Sequence, residues 1–176
     1  MKVFISWSEE ASRAMAEQLR DWLPLVLHYA EPWMSDIDID AGDRWADSVA
    51  KELEASNFGV ICVTRENVSS PWILFEAGAL AKSMKGSRVI PLLLDLDFQD
   101  ISGPLAQFQA KKVEKGGVGE VVQSINQAWE EPDDQNRATQ LFEALWPQLE
   151  TGIEAIPMET EPAKRARPKQ RFLRSL

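Results

Sequence analysis

Three features of the sequence predict a doubly wound α/β fold. Short apolar runs alternate with segments of helical period. The first run, Val3-Phe4-Ile5, begins almost at residue one, and Phe58 to Thr64 is apolar on successive residues, as a strand buried on both faces must be. Strand-helix alternation implies a parallel sheet covered on both sides, wound by right-handed crossovers. A chain of 176 residues that is 44% hydrophobic, with seven Trp and seven Phe, has material for one core and not two.

The elements follow in chain order. The polar end of the first strand, Ser6-Trp7-Ser8-Glu9-Glu10, opens a helix from about Ala11 to Leu23, where Met15, Leu19, Trp22 and Leu23 form one apolar face. Pro24 is expected to end it. A second strand lies within Val26 to Met34, broken by Pro32. The acidic, turn-rich segment Ser35 to Asp43 caps a helix from about Arg44 to Ala55, with Trp45, Val49 and Leu53 at four-residue spacing. Phe58 to Thr64 is the central strand. Ser69-Ser70-Pro71 then supplies an N-cap candidate with proline at the first helical position, so a third helix should run from Pro71 to about Lys82.

Arg88 to Leu94 reads as another strand, with Pro91 favouring an edge or a strand end. An irregular stretch, Asp95 to Gly103, precedes a short fifth strand within Phe108 to Val113. Gly116-Gly117-Val118-Gly119 reads as a turn before a helix at about Glu120 to Trp129, and Leu141, Leu145 and Leu149 mark a last helix over about Asp134 to Leu149. The expected architecture is flavodoxin-like: four or five parallel strands in the order 2-1-3-4-5 with helices on both faces. Residues 1–156 form the α/β domain, and 157–176, rich in Pro, Glu, Lys and Arg, form a basic, disordered tail or linker.

Composition excludes several function classes. One Cys and one His leave no set of metal ligands; Cys62 belongs to an apolar strand as a small core residue, and His28 is a solvated or packing imidazole. A disulfide within the monomer is impossible, which fits a reducing, cytoplasmic setting. No apolar stretch approaches the roughly 20 residues that span a bilayer, and no secretion signal is visible. The chain carries 19 Lys and Arg against 28 Asp and Glu, a net charge of −9; six of the basic residues lie from Lys164 onward, so the body has 13 basic against 28 acidic side chains, a net of −15. Such a body should repel nucleic acid. Three readings are open for the basic tail: contact with an anion or a partner, a solubilising end, or a link to a further module.

Ligands of such sheets bind at the carboxyl ends of the strands near a switch in strand order, which selects the loops Ser6 to Glu10, Ser35 to Asp43, and Thr64 to Ser70 with the helix after it. The first strand is followed by no Gly-rich phosphate turn, and no Walker motif occurs, so dinucleotide-cofactor and P-loop sites are not expected. The informative segment is Pro71-Trp72-Ile73-Leu74-Phe75-Glu76-Ala77-Gly78-Ala79-Leu80-Ala81. Glu76 is its only charge, costly among apolar neighbours unless paired or opened into a cleft, and Trp72 stands one turn earlier on the same helix face. Spacing alone equally admits a structural ion pair for Glu76 and a core role for Trp72.

The strand opening Val3 to Ser8, the acidic loop Asp36 to Asp43, the strand Phe58 to Thr64 and the segment Ser70 to Ala79 together resemble the Toll/interleukin-1 receptor (TIR) domain family in its bacterial form, over roughly residues 1–130. The resemblance implies that Glu76 holds the catalytic position of the family's NAD-cleaving members. It implies substrate-binding positions at Trp72, Ser6 and Trp7 and in the loop Asp36 to Asp43; Asp38 and Trp45 are read as further substrate contacts, and Arg44 or Arg65, by charge, as candidates for the diphosphate. Here the family's usual aromatic-after-serine opening reads Ser6-Trp7-Ser8, which leaves Trp7 open as a ligand contact or a wall. NAD would be a substrate, with no cofactor and no metal. Partners implied are a homo-oligomer through TIR–TIR contacts and a regulatory protein or separate sensor domain, in anti-phage defence, with neither nucleic acid nor membrane bound. A non-catalytic TIR recruiting module and a nucleoside deoxyribosyltransferase-like enzyme are the alternatives.

Overall fold

The computed structural model describes residues 1–34, 55–70, 73 and 88–158. The expected acidic loop, most of the helices over 44–55 and 71–82, and the residues of the expected tail from 159 onward lie outside the described residues; of those two helices, Ala55 and Ile73 are described and are helical. The elements in order are β1 (Lys2–Ser6), α1 (Glu10–Val26), β2 (Glu31–Met34), β3 (Phe58–Val63), β4 (Val89–Leu93), two short 3-10 helices (Phe98–Asp100 and Gly103–Gln107), β5 (Lys111–Lys112), α2 (Lys115–Ala128) and α3 (Gln135–Glu154).

All five strands pair in parallel in the order β2-β1-β3-β4-β5, the flavodoxin-like doubly wound arrangement. Alternation along the strands divides the core. Val3, Ile5, Val60, Cys62 and Leu92 face α1, α2 and α3, whereas Phe4, Ile61, Val63 and Leu93 face the opposite layer, where helical Ile73 is fully buried with Leu96 and Leu105. Every residue of β3 is buried, as its continuous apolar run requires. Trp22 of α1 is 2% exposed; its indole N–H donates to Leu145 O at 2.9 Å, and its ring meets Phe142 edge-on at 5.9 Å, which docks α3 across α1.

Four expectations are corrected. Pro24 does not end α1, which continues to Val26: a proline so near the C-terminus removes one donor, the ladder resumes with Leu27 N–H on Leu23 O at 2.9 Å, and burial of Val26 and Leu27 holds the last turn. Pro91 sits within β4, a strand flanked on both sides. Gly59 N–H to Arg88 O and Leu94 N–H to Val63 O place the even residues of β4 against β3, so Pro91 presents its donorless nitrogen toward β5, which pairs only with Leu92 and Leu93. The missing N–H therefore breaks no ladder bond.

The Gly116–Gly119 run is not a turn but the opening of α2. A Cβ at Gly117 would collide with the Lys112 carbonyl, so glycine allows the helix to start hard against β5. α3 runs five residues past the expected Leu149, because Ile153 and Ile156 prolong its buried face; Asp134 caps it by accepting from the backbone N–H groups of Asn136 and Arg137. The fifth strand is only Lys111–Lys112, within the expected range. Cys62 is buried, and His28 is an exposed ring whose Nδ1 lies 3.0 Å from Asp133 Oδ2.

Candidate functional site

β1 and β3 lie side by side with Ser6 in register with Ile61, and at β1 the winding reverses, β2 lying on one side and β3 on the other. The carboxyl ends of these strands therefore border the switch point where doubly wound sheets hold ligands. Two loops rise from it, Trp7 to Glu9 after β1 and Thr64 to Ser70 after β3. The first is tight: Glu9 takes φ 68° and ψ 165°, a region that is essentially glycine's and that costs another residue on the order of 1–3 kcal/mol. Glu9 does not cap α1 with its side chain; instead the Ala11 N–H donates to Glu66 Oε2 at 3.2 Å, so the loop after β3 supplies the carboxylate that the helix N-terminus favours.

Beneath these loops two polar side chains are fully buried and fully used. Asn67 donates from Nδ2 to Ser8 O at 3.0 Å and to Cys62 O at 2.9 Å, and accepts at Oδ1 from Thr64 N–H at 2.8 Å. Ser12 of α1 donates to Cys62 O at 2.8 Å while its Oγ accepts from Ser8 N–H at 3.3 Å. Both backbone groups of Ser8 are thereby fastened to the end of β3, one through each side chain. A buried amide with every donor and acceptor engaged rigidifies what it joins.

Beside this saturated knot the opposite condition holds. Ser6 Oγ, Trp7 Nε1, Ser8 Oγ and Thr64 Oγ1 are buried with no hydrogen-bond partner within the protein, and among the described residues every such side-chain atom belongs to the end of β1 or the end of β3. A desolvated, unpaired hydroxyl or indole N–H costs about 1–3 kcal/mol, so four together call for a reason beyond folding.

The residues expected to bind substrate divide accordingly. Ser6 and Trp7 stand at the end of β1 in this cluster; Trp7 is 6% exposed, belongs to the main core, and carries the Arg13 guanidinium 5.3 Å from its ring centroid. Glu76, Trp72, Asp38, Arg44 and Trp45 lie outside the described residues. Arg65 pairs with Asp95 at 3.2 Å, on the rim of a cavity of about 220 Å³ at the carboxyl ends of β3, β4 and β5. There Lys112 hydrogen-bonds Asp97, which holds that carboxyl below its ordinary range and the ammonium above its own. A larger apolar cavity of about 380 Å³, between α2 and α3, is walled by Val122, Ala138 and Phe142 and is separate in its lining from the strand-end loops.

Ser8, Ser12, Thr64 and Asn67 were not singled out as site residues from sequence. Their partners lie as far as 59 residues away along the chain, and a polar residue in a polar turn carries no mark of such a partner.

The family model of the TIR domain matches residues 3–127, from β1 to the end of α2. The chain belongs to the TIR family. Among solved structures, the TIR domains of the activated Roq1 resistosome directly recognising the pathogen effector XopQ are similar at 19% identity, covering 88% of this chain and 84% of that one, with a TM-score of 0.44. No curated protein matches the chain. The TIR match ends before α3, so the helix that docks on Trp22 lies outside the family-matched segment. No helix among the described residues is long and apolar enough to cross a membrane.

Proposed function

We propose that this TIR domain is an NAD glycohydrolase, with Glu76 the carboxylate that acts on the bond between nicotinamide and ribose. The supporting observation is the position of Trp72-x-x-x-Glu76 in the chain: it directly follows the Thr64 to Ser70 loop, which leaves β3 at the switch point beside four orphaned polar atoms. A lone carboxylate in an otherwise apolar segment, following in sequence a loop at the switch point of the sheet, suits a ligand rich in hydroxyls and bearing a developing positive charge.

The chemistry asks for little more. The nicotinamide leaving group is already cationic, so the carbon–nitrogen bond breaks with its electron pair moving to the ring nitrogen and needs no general acid. Positive charge grows on the ribose as an oxocarbenium ion, which a facing carboxylate stabilises as in glycoside hydrolysis. Water adds to the anomeric carbon and releases a proton to solvent, giving ADP-ribose; attack by the adenine instead gives a cyclised isomer. In this reading Ser6 binds the ribose side, Trp72 or Trp7 flanks a ring, and Asp38, Arg44 and Trp45 complete the substrate contacts. Activation by self-association, a bacterial origin, a cytoplasmic setting and a role in anti-phage defence belong to the same proposal and rest on the sequence resemblance.

The test follows nicotinamide release from NAD by the full chain and by Glu76→Gln over a range of protein concentrations. The amide keeps size and removes charge, so a fall of about 100-fold or more is expected, corresponding to roughly 3 kcal/mol of transition-state stabilisation. Equal rates in the two proteins overturn the assignment of Glu76. Concentration-dependent assembly with no turnover at any concentration returns the domain to a recruiting module, and turnover of deoxynucleosides in place of NAD returns it to a transferase.

A further inference from the structure

We propose that Asn67 is a positioning residue for the NAD-cleaving site, holding the loop after β1 against the end of β3 so that the wall carrying Ser6, Trp7 and Ser8 is set before substrate arrives. The proposal rests on the NAD reading for its chemistry and on the described geometry for its mechanics.

Asn67 is wholly buried, and its side chain spends all three of its hydrogen-bonding roles across two chain segments: Ser8 O on one, Cys62 O and Thr64 N–H on the other. Its backbone is used as well, the N–H donating to Thr64 O at 3.2 Å and the carbonyl accepting from Ser70 N–H at 2.8 Å, which shapes the loop leading to Trp72 and Glu76. One side chain therefore ties together the end of β1, the end of β3 and the approach to the segment with the proposed catalytic carboxylate. No orphaned atom lies on Asn67 or Ser12, whereas the residues they hold, Ser8 and Thr64, each carry one. Spent groups fix the backbone that carries the unspent ones, which is the division expected when one shell of residues orients another. Because Ser12 secures Ser8 N–H and Cys62 O from the α1 side, loss of Asn67 loosens this connection and leaves Ser12 to maintain a second attachment.

The experiment uses the full chain with Asn67→Ala and Ser12→Ala, measuring kcat and KM for NAD together with amide hydrogen exchange. Displacing reacting groups by an ångström costs up to about 100-fold in rate, so Asn67→Ala is expected to lower kcat by about tenfold or more with KM within about threefold of the parent. Exchange is expected to quicken in residues 6–11 and 64–70 while β4 and α3 keep their protection. An unchanged kcat, or a rise in exchange spread evenly over β4 and α3, overturns the positioning role. Should Asn67→Ala fail to fold, Ser12→Ala carries the same two readouts, with a smaller fall in kcat expected and no fall overturning the proposal. If the parent itself releases no nicotinamide, the NAD reading fails alone, and local against global exchange still decides whether Asn67 fastens this loop.

Discussion

Two buried asparagines show how differently the two ends of the molecule use polar groups. Asn126 on α2 accepts from Tyr29 O–H at 2.6 Å and from Asp133 N–H at 2.9 Å, and donates to Asp133 O at 2.9 Å, joining α2 to the loop before α3. The stacked rings of Tyr29 and Trp129 close over it, 5.5 Å apart, and no orphaned buried atom is found there among the described residues. Asn67 makes a comparable knot at the carboxyl ends of β1 and β3 but stands among four orphaned atoms. Equal local saturation thus has unequal surroundings: the bonds around Asn126 leave no buried side-chain atom without a partner among the described residues, whereas those around Asn67 join segments that carry four.

Substitutions can break that comparison. Trp146→Ala should have the largest effect on stability, about 3–5 kcal/mol, since α3 loses a buried indole packed on Phe142; chemical denaturation measures it, and turnover per folded molecule should be unchanged. Asn126→Ala should cost about 2 kcal/mol by leaving the Tyr29 hydroxyl and Asp133 N–H without their partner, again with no change in turnover. Thr64→Val should reverse the sign: removing an orphaned hydroxyl is expected to stabilise the fold by about 1 kcal/mol while weakening NAD binding, read as a raised denaturation midpoint together with a raised KM. A loss of stability there would mean that Thr64 belongs with Asn126, and the contrast between the two ends would fail.

Alkaline stability tests the Asn126 end of the comparison separately. Burial first, and the nearby Asp133 charge second, push the Tyr29 hydroxyl up to about 12 from its ordinary value near 10. The folded state therefore binds a proton more tightly than the unfolded chain. Its contribution is whole below pH 10 and is lost as pH rises from 10 through about 12. The sequence contains one tyrosine, so ultraviolet titration of phenolate reads this group directly, and a midpoint near 10 in the folded protein would contradict the packing described for Asn126 and Trp129.

Much of the fold was legible because its signals are local. The apolar run Phe58 to Val63, short and rich in β-branched residues, reads as a strand covered on both faces, and Met15, Leu19, Trp22 and Leu23 read as one face of a helix, as both are. Three of the four corrected points share a cause. Pro24, Pro91 and the Gly116–Gly119 run are breakers by intrinsic propensity, yet each stands where the missing N–H or missing Cβ is harmless or required: in a final helical turn, toward the unpaired flank of a two-residue strand, and against the Lys112 carbonyl. Propensity belongs to the residue, and its cost belongs to the neighbour. The candidate site divides in the same way, since the lone charge of Glu76 was visible in its apolar segment, whereas Asn67 and Ser12 acquire meaning only when β1 and β3 meet.

By itself the sequence determined a parallel doubly wound sheet of four or five strands, the burial of β3, the resemblance to TIR domains and the carboxylate on which the proposed chemistry depends, because hydrophobic period and residue chemistry are written along the chain. Tertiary structure alone decided which polar groups are spent and which are left over. Hydrogen-bond satisfaction is a property of pairs, and at the strand ends the pairs join residues 50 to 59 positions apart, Ser12 with Cys62 and Ser8 with Asn67.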